Sequence, residues 1–231
     1  MRKIFLLTLA ILTIAICGYG QNQTPANPKE SGMYKYSQMK YVFAMKYNDW
    51  RAAVNSLYDL IALDPGDDSL KLNLGYLYFE NSNFASALFV SADLLTRRPQ
   101  NARVLHLNAV CYENMGLKGK AVEAYESLYL VTESVDVLFN TAALQYELGR
   151  LAEARTNAKI VAESSAAKDI KLSFSKSETE QQEIPMNAAA YNLLGVIEAD
   201  QGNKEQAKTY FSKALEIAPD FKIALDGKAK L

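Results

Sequence analysis

Few residues of this sequence have the type and spacing that catalysis requires. The chain contains one histidine, His106, and no Gly-x-Ser-x-Gly or His-Glu-x-x-His motif. The run Gly116-Leu-Lys-Gly-Lys has neither the spacing of a phosphate loop nor a strand before it. We therefore predict that the protein is not an enzyme, with no catalytic residue, metal or cofactor. The one enzymatic alternative is a hydrolase that uses residues 169–187.

The cysteines indicate packing rather than chemistry. Cys17 lies in an apolar N-terminal run, and Cys111 lies in a helical stretch beside Tyr112. We interpret Cys111 as a small buried apolar residue, with a reactive thiol or an intermolecular disulfide as the alternative. Once the N-terminal run is removed, a single cysteine remains, so no internal disulfide can form.

The N-terminus has the pattern of a secretory signal peptide, assigned to residues 1–20. Two basic residues precede a 14-residue apolar run, Ile4–Cys17, which is shorter than the roughly 20 residues of a membrane span. Gly18 and Gly20 provide the small residues of a cleavage site before Gln21. We expect an exported protein, periplasmic or outer-membrane-associated in a Gram-negative bacterium, with no integral span after cleavage. An uncleaved anchor is the alternative, and a lipoprotein is disfavoured by Ile16 before Cys17.

Composition is that of a soluble globular chain. Of the 231 residues, 49% are hydrophobic and 22% are charged, which excludes a disordered chain. The formal net charge is -1, so nothing in the sequence favours a nucleic acid as partner. Residues 21–33 are rich in Pro, Asn, Ser and Gly and are predicted to form a flexible linker.

Residues 188–221 show the organisation of the rest of the chain. Two amphipathic runs flank a Gly-Asn turn, and Pro219 ends the second run. The signals are Tyr191, Leu194-Gly195, Gly202, Ala207, Phe211, Ala214 and Pro219. This spacing resembles the 34-residue tetratricopeptide repeat, although Glu198 stands where the family usually has Tyr.

The same signals recur along the chain. Ala53, Ala87 and Ala121 are 34 residues apart, Ala154 follows after 33, and Ala207 follows after 53. This register places repeats at 34–67, 68–101, 102–134, 135–168 and 188–221. Turn residues recur between the two helices of each repeat at Asn48, Ser82, Gly116, Gly149 and Gly202. The resemblance implies an all-α, right-handed superhelical solenoid of about five helix-turn-helix repeats over residues 34–231.

Two segments fall outside this register. Residues 169–187 are an insertion in which Ile170, Leu172 and Phe174 alternate with polar residues. We interpret it as an extended helix end and a disordered loop, which folding would not require; a functional loop at the groove is the alternative. Residues 222–231 are predicted to form a C-terminal capping helix, with Ile223, Leu225 and Ala229 covering the apolar edge of the last repeat.

The resemblance also indicates where a partner would bind. In this family the first helix of each repeat lines a concave groove, and aromatic and amide side chains there can hold a peptide. The candidate partner-binding residues are Asn73, Tyr76, Phe79, His106, Phe139, Asn140 and Tyr146. The alternative is that the aromatics pack between neighbouring first helices. The lysines and arginines at groove positions, Lys35 and Arg103, are too few for a carboxylate clamp.

We expect an exported scaffold or adaptor that binds a protein or peptide through this groove. The alternative function is a structural subunit of an outer-membrane or secretion assembly, in which flat or convex surfaces matter more. The sequence indicates neither the partner nor the oligomeric state.

Overall fold

In the computed structural model, which describes residues 27–231, helices follow one another in antiparallel pairs. A 3-10 turn, Pro28–Glu30, precedes the first pair, and a second one, Ala166–Lys168, follows the fourth pair. The α-helices of the described chain are α1 (Gly32–Lys46), α2 (Trp50–Leu63), α3 (Asp68–Glu80), α4 (Phe84–Arg97), α5 (Ala102–Asn114), α6 (Lys118–Thr132), α7 (Val135–Glu147), α8 (Leu151–Glu163), α9 (Met186–Asp200), α10 (Lys204–Ile217) and α11 (Lys222–Ala229).

Local sequence sets the ends of these helices. Asp49, Asn83 and Asn101 are N-caps whose side-chain oxygens accept hydrogen bonds from backbone N–H groups of the first turn. The turn residues predicted within each repeat all adopt positive φ, at Asn48 (56°), Ser82 (58°), Gly116 (71°), Gly149 (74°) and Gly202 (77°). This left-handed conformation reverses the chain after the first helix of each pair.

Small residues allow the two helices of a pair to approach closely. The alanines that recur in the register, at positions 53, 87, 121, 154 and 207, are completely buried. Each first helix also packs against the second helix of the preceding pair, for example α5 against α4 and α9 against α8. The predicted all-α solenoid of five helical pairs is therefore confirmed, with its core running along the stack.

The N-terminal end differs from the prediction. Ordered structure begins before residue 34, because Ser31 caps α1 through a hydrogen bond from the Tyr34 N–H. The Lys29 ammonium lies 2.8 Å from the Asp67 carboxylate and ties the 3-10 turn to the loop before α3. Residues 27–33 are thus not a flexible linker. The predicted signal segment, residues 1–20, lies outside the described residues. Of the helices between residues 27 and 231, none is long and apolar enough to cross a membrane.

The insertion forms a β-hairpin, in contrast to the disordered loop expected from the sequence. Strands β1 (Lys171–Ser175) and β2 (Gln181–Pro185) pair antiparallel, with Leu172 opposite Ile184. Ile184 is buried in a cluster with residues of α9, α10 and α11, and the Phe174 ring lies 5.1 Å from that of Phe221. The hairpin therefore belongs to the core of the C-terminal repeat.

The capping helix α11 forms as predicted but packs through a different face. Ala224 is buried, whereas Ile223 and Leu225 are exposed. A Cβ built on Gly227 would come within 2.7 Å of the Phe211 ring, and one built on Gly195 would also come within 2.7 Å of it. The helical spacing Phe221, Ala224, Gly227, rather than an alternating pattern, faces the last repeat.

Candidate functional site

The first helices α3, α5 and α7 border a depression on the groove side of the solenoid. Its volume is about 480 Å³, and Tyr76, Arg103, His106, Ser134 and Asp136 contribute to its walls. Leu128 and Val137 supply apolar surface. The depression therefore combines a cation, a carboxylate, an imidazole and an aromatic ring in one place.

Tyr76 is fixed in this wall. Its hydroxyl donates a hydrogen bond to the Arg103 carbonyl oxygen at 3.3 Å, which joins α3 to α5. Partial burial raises the pKa of Tyr76, so the hydroxyl stays protonated at neutral pH. Its ring edge and the exposed side chains of Arg103 and His106 remain available to a ligand.

Asp136 enters the depression from the start of α7. The Ser134 hydroxyl donates a hydrogen bond to its carboxylate, which orients the carboxylate near the loop before the helix. Asp136 is not among the candidate residues predicted from the sequence. The repeat register could have identified it, because Asp136 occupies the same position in its repeat that Arg103 occupies in the preceding one.

Of the seven candidate residues, Tyr76 and His106 are the two that the structure brings together in this depression. Asn73 lies one turn before Tyr76 on α3 and is exposed, and Asn140 is exposed on α7. Both amides can therefore reach a ligand that extends beyond the depression. Their partner-binding role stays a prediction.

The remaining candidate aromatics make packing contacts. The Phe79 ring lies 5.5 Å from the Phe84 ring in a tilted arrangement within its own pair of helices. Phe139 is half-buried against the two clusters that surround α9. The Phe139 contact agrees with the alternative in which groove aromatics pack between neighbouring first helices, whereas the Phe79 contact lies within one helical pair.

Tyr146 links two first helices. Its hydroxyl donates a hydrogen bond to the Asp200 carboxylate at 2.7 Å, which joins α7 to α9. This bond, together with desolvation, raises the pKa of Tyr146 to about 12. Because the hydroxyl is already bonded, only the partly exposed ring could contact a ligand.

The chemistry of Cys111 agrees with a packing role. The residue is completely buried, and burial raises the pKa of its thiol to about 11, so little thiolate forms at neutral pH. Residues 27–231 contain no cluster of three or more His, Cys, Asp or Glu side chains that could hold a metal ion.

The family follows from comparison with known repeats. Two tetratricopeptide repeat models match the sequence, one over residues 44–102 and one over residues 188–221. The chain is a tetratricopeptide repeat protein. Residues 188–221 cover the pair α9–α10, and residues 44–102 extend from the end of α1 to the start of α5. Such repeats typically serve as non-enzymatic scaffolds for protein–protein interaction.

Solved structures show the same fold at low sequence identity. The crystal structure of the MamA protein has 15% identity and a TM-score of 0.63, over 86% of this chain and 94% of that one. A tetratricopeptide repeat protein from Parabacteroides merdae has 20% identity and a TM-score of 0.65, over 87% and 72%. YrrB, described as a TPR protein with an unusual peptide-binding site, has 17% identity and a TM-score of 0.64, over 87% and 99%. A comparison with curated protein sequences gives no significant match.

Proposed function

We propose that this tetratricopeptide repeat protein is a non-catalytic scaffold that binds an extended segment of a partner protein in its groove. The observation that carries the proposal is the depression that gathers Tyr76, Arg103, His106 and Asp136. The peptide-binding site named for YrrB, a protein of the same fold, also favours a peptide as ligand.

The chemistry of the depression fits a peptide with mixed charge. Arg103 can pair with a carboxylate of the ligand, and Asp136 can pair with a lysine or arginine. Tyr76 supplies a rigid aromatic surface, and Tyr and Arg are the side chains enriched at binding hot spots. The amides of Asn73 and Asn140 can donate to and accept from a peptide backbone whatever its sequence.

A second candidate is the assembly-subunit function, and exposed apolar residues on the second helices favour it. Phe89 on α4 is 80% exposed and Leu130 on α6 is 82% exposed. Large apolar side chains at such exposure can contribute to the contact surface with another subunit. In this function the outer surface of the solenoid, rather than the groove, contacts neighbouring subunits of an envelope complex.

Peptides selected on the purified protein from a random display library distinguish the two functions. We expect Tyr76→Ala and Arg103→Ala to weaken a selected, fluorescently labelled peptide by about tenfold or more in anisotropy titrations. The control Lys208→Ala changes an exposed residue on α10 and should leave the affinity unchanged. Circular dichroism establishes that each variant is folded.

The outcome that favours the assembly function is equally specific. Folded groove variants would then bind like the unmodified protein, and Phe89→Ser with Leu130→Ser would instead release the partners that co-purify in fixed stoichiometry.

We also propose that the protein is exported and acts in the cell envelope. The support is the basic start, the short apolar run Ile4–Cys17 and the small residues before Gln21. Mass spectrometry of the mature protein should find Gln21 at its N-terminus; an intact Met1 or a lipidated Cys17 would contradict this.

A further inference from the structure

The repeat register identifies the positions at which each first helix contacts the preceding second helix. In α3 these positions are Leu70, Leu74 and Leu77, which share an apolar cluster with residues of α2. The corresponding residues of α9 include Ala190 and Leu194, which share a buried cluster with residues of α8. The third and seventh residues of a repeat therefore face the second helix of the preceding repeat. In α3 the tenth residue, Leu77, faces it as well.

The first repeat carries large side chains at the same positions, and the two aromatic ones are exposed. Tyr36, Lys40 and Phe43 stand 34 residues before Leu70, Leu74 and Leu77, and Tyr47 continues the stripe by one turn. Tyr36 is 66% exposed, Phe43 49% and Tyr47 70%. Together with Met39, and with Asp49 and Ala52 at the start of α2, they line a groove of about 420 Å³. We name Tyr36, Met39, Lys40, Phe43 and Tyr47 the α1 end face.

This end face lacks the polar surface that a terminal repeat normally presents to water. Helix α1 exposes aromatic and methionine side chains on its outer side, in addition to the apolar side chains that it packs against α2. Within residues 27–231, no second helix precedes α1 to cover it. The stripe from Tyr36 to Tyr47 is about 16 Å long, or three helical turns. The end face is thus shaped for one further helix.

Charge indicates the kind of helix that fits. Helix α1 contains Lys35, Lys40 and Lys46 and no acidic residue. Lys40 lies 3.4 Å from the Asp59 carboxylate, and Lys46 lies over the Tyr47 ring at 5.7 Å. By helical spacing, Lys35 and Lys46 lie on the same flank as Met39. Acidic residues on an incoming helix would meet these lysines.

The same charges disfavour a second copy of the chain as the occupant. Two end faces brought together would oppose lysine to lysine. The other end of the solenoid is also basic, since α11 and the residues after it contain Lys222, Lys228 and Lys230 with one acid, Asp226.

We propose that the α1 end face binds an amphipathic helix with acidic flanks from a partner protein, in the place that a preceding second helix would take. The bound helix buries the exposed aromatics and pairs with Lys35 and Lys46. This site is separate from the depression bordered by Tyr76 and Asp136.

Two synthetic helical peptides of about 16 residues test the proposal. They share one stripe of leucine and alanine, and their flanks carry glutamate in one peptide and lysine in the other. We expect the purified protein to bind the glutamate peptide at least about tenfold more tightly in anisotropy titrations. Tyr36→Glu with Phe43→Glu should abolish this binding, whereas Ile160→Glu, at a residue of α8 that is 47% exposed, should not.

Charge reversal makes the test independent of folding defects. Lys35→Glu with Lys46→Glu should reverse the preference, so that the lysine peptide binds better than the glutamate peptide. Equal binding of both peptides to the unmodified protein, or loss of binding in Ile160→Glu, would overturn the proposal.

Two further results would assign the end face to another occupant and also overturn the proposal. One is binding to phosphatidylglycerol vesicles that Lys35→Glu with Lys46→Glu abolishes, without binding of either peptide. The other is a dimer in sedimentation analysis that dissociates in Tyr36→Glu with Phe43→Glu.

Discussion

At the scale of single residues, Glu198 shows how the chain accommodates a departure from its repeat pattern. The side chain stands where an aromatic residue is usual and is 6% exposed. Its carboxylate lies 2.9 Å from the Arg155 Nε of α8, and it accepts a hydrogen bond from the Asn203 Nδ2 at 2.8 Å. The charge therefore joins two repeats instead of filling an apolar gap.

Removal of Arg155 should destabilise the protein more than neutralisation of Glu198. Arg155→Ala leaves a buried carboxylate without its cation, whereas Glu198→Gln leaves an arginine that is 37% exposed and can turn to water. Fully buried pairs lose about 3–5 kcal/mol when one partner is removed; partial exposure reduces the expectation to about 1–3 kcal/mol for Arg155→Ala. Urea unfolding of both variants checks the order. A larger loss in Glu198→Gln would contradict it.

The ion pair of Asp67 with Lys29 makes the N-terminal end sensitive to acid. The hydrogen bond from Lys29 is the main cause that lowers the pKa of Asp67 to about 2, below the ordinary value of 3.8. A carboxyl with a lowered pKa in the folded state stabilises that state above its unfolded pKa. The stabilisation is then lost as the pH falls through about 4 to about 2.

The variant Asp67→Asn should separate the effect of the Asp67 charge on stability from the effect of its N-cap. Asparagine can still cap α3, so the variant loses the pair with Lys29 and keeps the N-cap. We expect a lower melting temperature than the unmodified protein at pH 7 and a difference that shrinks towards pH 2. Thermal melts at several pH values measure it, and a difference independent of pH would contradict the assignment.

At the scale of elements, the β-hairpin is the largest departure from the sequence-based expectation. Gln182 is buried, and its amide faces the Asp220 carbonyl at 3.1 Å and the Lys222 N–H at 3.2 Å. With Ile184 and Phe174 it joins the insertion to the start of α11. The hairpin is thus expected to hold the capping helix in place.

Ile184→Ala should therefore destabilise the protein. The side chain is 1% exposed among alanines and phenylalanines that cannot fill the space it leaves, and such truncations cost about 2–4 kcal/mol. Urea unfolding measures the loss. The control Glu178→Ala, in the exposed turn between the strands, should have no effect. Equal midpoints for both variants would restore the expectation that the insertion is dispensable.

The repeat elements were predictable because their signals are local and recur. A positive φ at Asn48 or Gly202 depends on the turn alone. Ala87 of α4 is a small residue because α3, the other helix of its pair, packs closely against it. The hairpin was not predictable, because its second strand, Gln181–Pro185, is mostly polar and is defined by its pairing with β1. Periodicity identified the alternation of Leu172 and Phe174 but not the surface they cover.

The candidate site was predictable only where its residues follow the repeat register. The register placed Tyr76 and His106 on first helices, and the structure brings them to one depression. The register could not show that the Tyr146 hydroxyl bonds to Asp200, which is 54 residues away. Nor did the register show that, among residues 27–231, no helix packs on the outer side of α1.

At the scale of the whole molecule, the helices at the two ends of the stack differ in how many elements pack against them. Helix α9 packs against α7, α8, α10, α11 and both strands of the hairpin. Helix α1 packs chiefly against α2 and the adjoining 3-10 turn. In a solenoid, where each repeat is stabilised mainly by its neighbours, this asymmetry sets the order in which local regions open.

Hydrogen exchange should therefore follow a gradient along the chain. We expect amides of α1 to exchange fastest among the long helices and those of α9 to exchange slowest, because opening α1 disrupts one helical interface and opening α9 disrupts several. Mass spectrometry of exchanged peptides measures the order. Ile184→Ala should accelerate exchange in α9 and α11 and leave α1 unchanged, since the hairpin contacts only the C-terminal repeats. Addition of the acidic helical peptide should slow exchange in α1 alone. Equal protection of α1 and α9 in the free protein would mean that the stack unfolds as a single cooperative unit.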